Sequence, residues 1–269
     1  MSETFALSEI MSDAMPKTVT QTSFRDRIGA GPGGGYYPAP HRYHLYLSPG
    51  CPRSLRISIT LGLLGLENSV STTLLPTSAG ARDALAALRT AYETTRHHYD
   101  GPPTVPALCD LWSGRVVNNH TPDILDDLAL RFTDQDNADL PRLRPAALAS
   151  DIDAVRELLG ADLLPNLAQD PALDSALDLL ERQLASHPYA LGETLTAADV
   201  DLWVALVHLD ADALRRVAAC DRLWSYVRRL GAHPAFHKIP RTEIPRTERK
   251  REHSDEDLCS PKEDKALAC

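Results

Sequence analysis

No stretch of the 269 residues is apolar over the roughly 20 positions a helix needs to cross a bilayer, so no membrane span is expected. The first residues lack a basic segment followed by an apolar core, so no secretory signal is expected either. Paired cysteines are also missing. The five cysteines are scattered without the spacing of a metal site or a disulfide framework, and their odd number, with no signal, points to a reducing cytoplasm. The ten histidines form no ligand set; His233 and His237 are four apart, but Pro234 between them argues against a helical metal pair. Basic charge is in deficit, with 28 Lys and Arg against 37 Asp and Glu and a net charge of −9. An acidic chain with no basic stripe argues against nucleic acid as the main partner.

What is present centres on residues 41–56. Tyr43 to Leu47 reads as a short buried strand, and Ser48, Pro49 and Gly50 end it. Cys51-Pro52 then opens an apolar segment, Leu55 to Leu66, that reads as a helix with Gly65 near its end. Proline fits the first helical position because its missing N–H has no partner there. Cys51 therefore stands at a helix N-terminus, where free N–H groups and the helix dipole favour negative charge, and Arg53 and Arg56 add cations nearby. Such a setting lowers a thiol pKa and holds a nucleophilic thiolate. The plainer reading is a small apolar cysteine that fills space.

Residues 1–40 are polar and then glycine-rich, and read as a surface arm; Gly31 to Gly35 has neither the preceding strand nor the following helix of a phosphate loop. Val70 to Leu75 reads as a second strand. A helix is expected over Thr77 to Tyr99, with Ala84, Leu85, Leu88, Ala91 and Tyr92 on one face. Thr104 to Trp112 reads as a strand, Ser113-Gly114 as a hairpin turn and Arg115 to Asn118 as the return strand. Thr121 or Asn119 caps a helix over Pro122 to Phe132. A proline within a strand is unusual; Val105-Pro106 is either a cis bend facing the cysteine, with the Val105 backbone offered to an extended thiol peptide, or an ordinary trans proline at an edge. The order is that of a thioredoxin-type α/β unit over 41–132, followed by a linker over 133–148.

From Asp151 to His237 only helical periodicity is found, which gives an all-helical domain over 149–240. Leu173, Ala176, Leu177, Leu180 and Leu184 share a face. Thr196 and Asp199 have capping-box spacing before Val200, Leu202, Trp203 and Leu206, and a further helix covers Leu223 to Leu230. Residues 241–269 are charged and almost without apolar content, a composition that stays disordered. Arg249 to Arg251 is either a contact for an anionic partner or a solvated charge run.

A thioredoxin-like α/β half followed by an all-α half resembles the fold of the cytosolic glutathione transferases. The motifs resemble the Xi class, the S-glutathionyl-hydroquinone reductases. Gly50-Cys-Pro-Arg-Ser-Leu-Arg56 is similar to that family's Ala-Cys-Pro-Trp-Ala-His-Arg, and Thr104-Val-Pro-Ala-Leu-Cys-Asp110 to its Thr-Val-Pro-Val-Leu-Trp-Asp. Val116 to Ile124 resembles Ile-Val-Asn-Asn-Glu-Ser-Ser-Glu-Ile, and Leu195 to Trp203 resembles Leu-Thr-Glu-Ala-Asp-Ile-Arg-Leu-Phe. The likeness spans roughly residues 24–240.

The resemblance implies a thiol-dependent transferase or reductase with glutathione, or a related low-molecular-weight thiol, as co-substrate and an electrophilic aromatic as the second substrate. Cys51 would be the nucleophile. Val105 and Pro106 would hold the cysteinyl part of the thiol, and His120 and Thr121 its γ-glutamyl end. With no second cysteine in Cys51-Pro-Arg-Ser54, an external thiol would resolve the mixed disulfide. A homodimer is implied by the family alone. The chain departs from the family pattern at the binding residues. Arg53 replaces a tryptophan and suits a carboxylate or phosphate, and His120-Thr121 replaces Glu-Ser. The family's substrate-facing tyrosines have no counterpart between Asp151 and Asp170. A non-catalytic transferase-like binding protein, or a biosynthetic relative that adds or removes a thiol on another electrophile, are the alternative functions.

Overall fold

The computed structural model describes residues 23–29, 35–75, 82–132, 140–159 and 172–237. The glycine cluster at 31–34, the charged tail with Cys259 and Cys269, and the basic run at 249–251 lie outside the described residues.

Strand β1, Tyr43–Leu47, alternates between buried and half-buried positions, as a strand with one face on a core must. Helix α1, Pro52–Leu63, begins three residues earlier than the apolar run alone suggests, since Pro52 is tolerated in its first turn. It stops short of Leu66 because Gly65 takes a left-handed φ of 64°, after which Leu66–Asn68 forms a 3₁₀ turn. Strand β2, Val70–Leu74, pairs parallel to β1, with α1 as the crossover. Helix α2, Arg82–Thr95, buries Leu88, Ala91 and Tyr92, whereas Leu85, expected on the same face, is 48% exposed.

Strand β3 is only Ala107–Asp110, shorter than the expected 104–112. Pro106 offers no N–H to a ladder, and Leu111 and Trp112 belong to the turn that leads into β4, Arg115–Asn118. The four strands lie in the order β2-β1-β3-β4, with β3 antiparallel to both of its neighbours. Helix α3, Thr121–Arg131, has His120 at its N-cap, so neither Asn119 nor Thr121 caps it.

Among the described residues seven further helical segments build the second half, the last a 3₁₀ turn at Pro234–His237. After a 3₁₀ turn at Ala146–Leu148 come α4 (Ala149–Leu159), α5 (Ala172–Ser186), α6 (Ala197–Val207), α7 (Ala211–Ala219) and α8 (Asp221–Ala232). Of these, α4 and α7 were not resolved individually by sequence periodicity. Helix α6 is buried from Ala197 to Leu206, which makes it the central post of the helical half. The capping box at its start forms: the Thr196 N–H donates to Asp199 Oδ2 at 2.8 Å.

One apolar core runs through both halves, with Ile57 and Ile59 of α1 in the same cluster as Trp203 and Val204 of α6. Within that core Arg56, 2% exposed, donates through Nε to Asp201 Oδ1 at 2.6 Å. Arg156 donates to the other oxygen of Asp201 at 2.8 Å and to Asp126 Oδ1 at 2.6 Å. One carboxylate on α6 thus holds the helix that carries Cys51 and also α4. The residues expected to form a linker are anchored too: Leu143 is 1% exposed, and its carbonyl accepts the Ala197 N–H at 2.7 Å.

Removing one member of a buried ion pair leaves the others unpaired in a low-dielectric core, which costs about 3–5 kcal/mol. Asp201→Ala should therefore lower unfolding free energy by that order in urea titrations, whereas the surface variant Glu93→Ala, whose pair with Arg89 is half exposed, should change it by less than about 1 kcal/mol.

Candidate active site

The sheet gathers the expected site residues at one end. Tyr46 of β1 lies opposite Ala107 of β3, so the exit from β1 toward Cys51 and the approach to β3 through Val105-Pro106 share an end of the sheet. Leu108 pairs with Asn118, which places the exit from β4 toward His120 and Thr121 at that same end. Three loops far apart in sequence therefore meet where β1 and β4 end and β3 begins.

Each loop is fixed by its own bonds. Gly50 takes a φ of 71°, a conformation that glycine tolerates and larger residues avoid. The Ser48 N–H donates to Ser54 Oγ at 3.0 Å, clamping the turn onto the first turn of α1. Cys51 is the N-cap residue of α1, half-buried, and its carbonyl accepts the Leu55 N–H at 2.9 Å. The first turn of α1 contains no acidic residue.

The Val105-Pro106 bond is cis, which decides between the two expectations for it. Among the described residues no backbone group bonds the Val105 N–H or C=O. A hub beside them sets the loop. Tyr92 OH donates to the Thr104 carbonyl at 2.9 Å, and Asn119 Nδ2 donates to both Tyr92 OH and Thr104 Oγ1 at 3.2 Å. Asn119 Oδ1 accepts the Phe24 N–H at 2.8 Å. This use of the Asn119 side chain explains why it does not cap α3.

At the start of α3 the His120 N–H donates to Asn118 Oδ1 at 2.7 Å, and Thr121 is 4% exposed. His120 Nδ1 lies 3.3 Å from Asp123 Oδ1, near enough for charge attraction but not aligned for a hydrogen bond. Asp123 is engaged by Arg25, whose Nε and Nη2 each donate at 2.8 Å. Arg27 holds Asp127, and the Asp127 Oδ2 accepts the Ile28 N–H at 3.0 Å. Part of the N-terminal arm is thereby fastened along β4, with Arg25 bridging to Asn118 and Ile28 in the core. Sequence reading missed this clasp. Its signal is nonetheless there: Arg25 and Arg27 are two apart on an extended chain, and Asp123 and Asp127 four apart on a helix, so each pair projects to one side.

The charges near the cysteine differ from the expectation in one respect. Arg56 is buried and committed to Asp201, so it contributes no free cation to the site. Arg53 remains, half-buried. Of the other described cysteines, burial and the neighbouring Asp110 push the Cys109 thiol up to about 12. Burial and the acidic groups Glu181, Asp178, Asp174 and Asp221 raise Cys220. Neither suits thiolate chemistry. The described residues contain no cluster of ligands for a metal and no helix long and apolar enough to cross a membrane.

Residues 145–229 match the family model "Glutathione S-transferase, C-terminal domain". The glutathionyl-hydroquinone reductase PcpF of Sphingobium chlorophenolicum is 28% identical, over 74% of this chain and 74% of the relative. The glutathionyl-hydroquinone reductase YqjG of Escherichia coli is 30% identical, over 66% of this chain and 62% of the relative. A glutathione transferase structure from Gordonia bronchialis superposes with a TM-score of 0.69 at 29% identity, covering 80% of this chain and 78% of the other.

The chain carries a glutathione S-transferase C-terminal domain and is similar to glutathionyl-hydroquinone reductases and Xi-class transferases.

The glutathione transferase Xi of Phanerochaete chrysosporium extends the likeness, with a TM-score of 0.64 at 27% identity over 81% of this chain and 82% of that one. The thioredoxin-like half and the all-α half are therefore the two parts of a glutathione transferase fold. In this chain the clasp at the start of α3 carries a pH signature. Burial alone would raise the Asp123 carboxyl, but Arg25, the Asn118 amide and the charges of His120 and Arg27 hold it at about 2. A carboxyl depressed on folding stabilises the fold above its ordinary pKa near 4 and loses that contribution as pH falls toward 2. Arg25 is half exposed, so solvent screening reduces the effect to about 1–2 kcal/mol. Unfolding free energy should fall by that amount between pH 4 and pH 2, and the Asp123→Asn variant should lack this part of the slope.

Proposed function

We propose that this protein is a glutathione-dependent oxidoreductase of the glutathionyl-hydroquinone reductase type, with Cys51 as nucleophile. The observation that carries the reading is the convergence of Cys51, the unpaired Val105 backbone and the start of α3 at one end of the sheet. Glutathione is the co-substrate. Its cysteinyl portion pairs with the Val105 N–H and C=O as an added strand would. Its γ-glutamyl carboxylate meets Thr121 and the first turn of α3, where free N–H groups favour an anion. Support comes from the names of the relatives, two of which are glutathionyl-hydroquinone reductases, and from the glutathione-bound structure of the Escherichia coli homologue.

The chemistry follows from the position of the sulfur. Cys51 as thiolate attacks the sulfur of an S-glutathionyl hydroquinone. A Cys51–glutathione disulfide forms and the carbon–sulfur bond breaks. The electron pair of that bond passes to the ring carbon, which takes up a proton, so the arene is reduced. A second glutathione, as thiolate, attacks the mixed disulfide, releases Cys51 as thiolate and leaves as glutathione disulfide. The two glutathione sulfurs supply both electrons. The first turn of α1, which follows Cys51, contains no acidic side chain that would oppose an anion there. A reducing cytoplasm and pairing of two copies are part of the same reading, carried by the cysteine usage and the family resemblance.

Cys51→Ala should abolish turnover of an S-glutathionyl hydroquinone, and Cys51→Ser should lower kcat at least a thousandfold. A mass increment of one glutathione on Cys51 should appear after incubation with the conjugate and vanish on adding excess glutathione. Full activity in both variants would reject the mechanism and leave a transferase-like binding protein.

A further inference from the structure

Among the described residues, six arginines are buried or half-buried: Arg42, Arg53, Arg56, Arg144, Arg156 and Arg216. Five of them hold an aspartate. Arg42 pairs with Asp110, Arg56 with Asp201, Arg144 with Asp153, Arg156 with Asp126 and Asp201, and Arg216 with Asp174. Arg53 has no ion pair and no hydrogen bond to any described residue. It stands two residues beyond Cys51 in the first turn of α1, a turn without an acidic side chain. A half-buried guanidinium has lost part of its hydration, and this fold elsewhere compensates that loss with a carboxylate. Arg53 is the one member of this set whose guanidinium is left to solvent or to a ligand.

We infer that Arg53 is a specificity residue that selects electrophiles bearing a carboxylate, so that the preferred substrate is an S-glutathionyl conjugate of an acidic hydroquinone. The inference rests on the reading of Cys51 as nucleophile and adds the chemistry of the group it attacks. Cys51 must reach the conjugate's sulfur, which sits between the glutathione peptide and the ring. The peptide runs toward Val105 and Thr121, at the starts of β3 and α3. The ring lies beyond the sulfur, and Arg53 is the cationic residue nearest to Cys51 in sequence, in the turn that follows it. A planar guanidinium with a fork of donors matches a carboxylate bidentately and holds the ring in register for attack. The bond changes are those already given; Arg53 neither gains nor loses a proton.

The test compares two conjugates, S-glutathionyl hydroquinone and S-glutathionyl 2,5-dihydroxybenzoate, on the full chain. Wild type should favour the carboxylate conjugate by about tenfold or more in kcat/KM. Arg53→Ala should bring the ratio of the two to near one, Arg53→Lys should retain part of it, and Arg53→Glu should invert it. A ratio near one in wild type would overturn the inference while leaving Cys51 as nucleophile intact. So would an Arg53→Ala variant that slows both conjugates alike and raises KM for glutathione in the second step, because the guanidinium would then serve the glycyl carboxylate of the thiol. Calorimetry on Cys51→Ala, which binds without turnover, separates the two readings. Tighter binding of the acidic conjugate, lost in Cys51→Ala/Arg53→Ala, upholds the inference even if neither conjugate is turned over. Equal binding of both sinks it whatever the turnover.

Discussion

The Asp201 carboxylate is the interaction on which the rest depends. Its two oxygens are divided between Arg56 of α1 and Arg156 of α4, and all three groups are at most 9% exposed at their side chains. Helix α1 emerges from the sheet, carries Cys51 at its head and packs its Ile57 and Ile59 against the helical half. Hydrophobic burial is non-directional, so the ion pair adds to the packing of α1 a restraint with a defined direction. The ion pair ties α1, whose N-cap is Cys51, to α6 at a defined point.

The second constraint is the set of hydrogen bonds around Tyr92, Thr104 and Asn119. It joins α2, the loop before β3 and the loop before α3 through three side chains. Two of the three loops at the sheet end are thus locked to one another. The third, the Ser48–Gly50 turn, is locked to α1 by Ser54. The loop that carries Val105 is thus tied down by its neighbours' side chains, and a loop fixed in advance has a lower ordering cost on binding.

Much of this was legible in the chain. Strand β1, the Pro52 start, the Val105-Pro106 bend, the return strand and the capping box follow from local rules, in which a residue's own backbone preference or its neighbour three places on decides the outcome. Two of the errors depended on a partner distant in sequence, and a third on a local feature given too little weight. Thr121 or Asn119 was expected to cap α3, but His120 takes the N-cap position and Asn119 spends its amide on Tyr92 and Thr104. Arg56 was expected to lend charge to Cys51 but faces Asp201, 145 residues away. The strand expected from Thr104 loses its first residues because Pro106 cannot donate to a ladder. At the site, residue types and their roles could be listed from motifs. Which arginine was free could not, since that required knowing where every aspartate points.

The carboxylate at the start of α6 shows what a shorter side chain makes possible. Asp199 Oδ1 accepts the Ala190 N–H at 2.8 Å and the Tyr226 hydroxyl at 2.9 Å, while Oδ2 takes the Thr196 N–H and hydroxyl at 2.8 and 3.1 Å. Two of these donors belong to the helix start and two arrive from the loop before it and from α8. The additional methylene of a glutamate would move both oxygens away from at least one of those sets. A cap that in most helices is a local matter is here the junction of three segments. The aspartate at this position is therefore a requirement of tertiary assembly rather than a second-best choice for ending a helix.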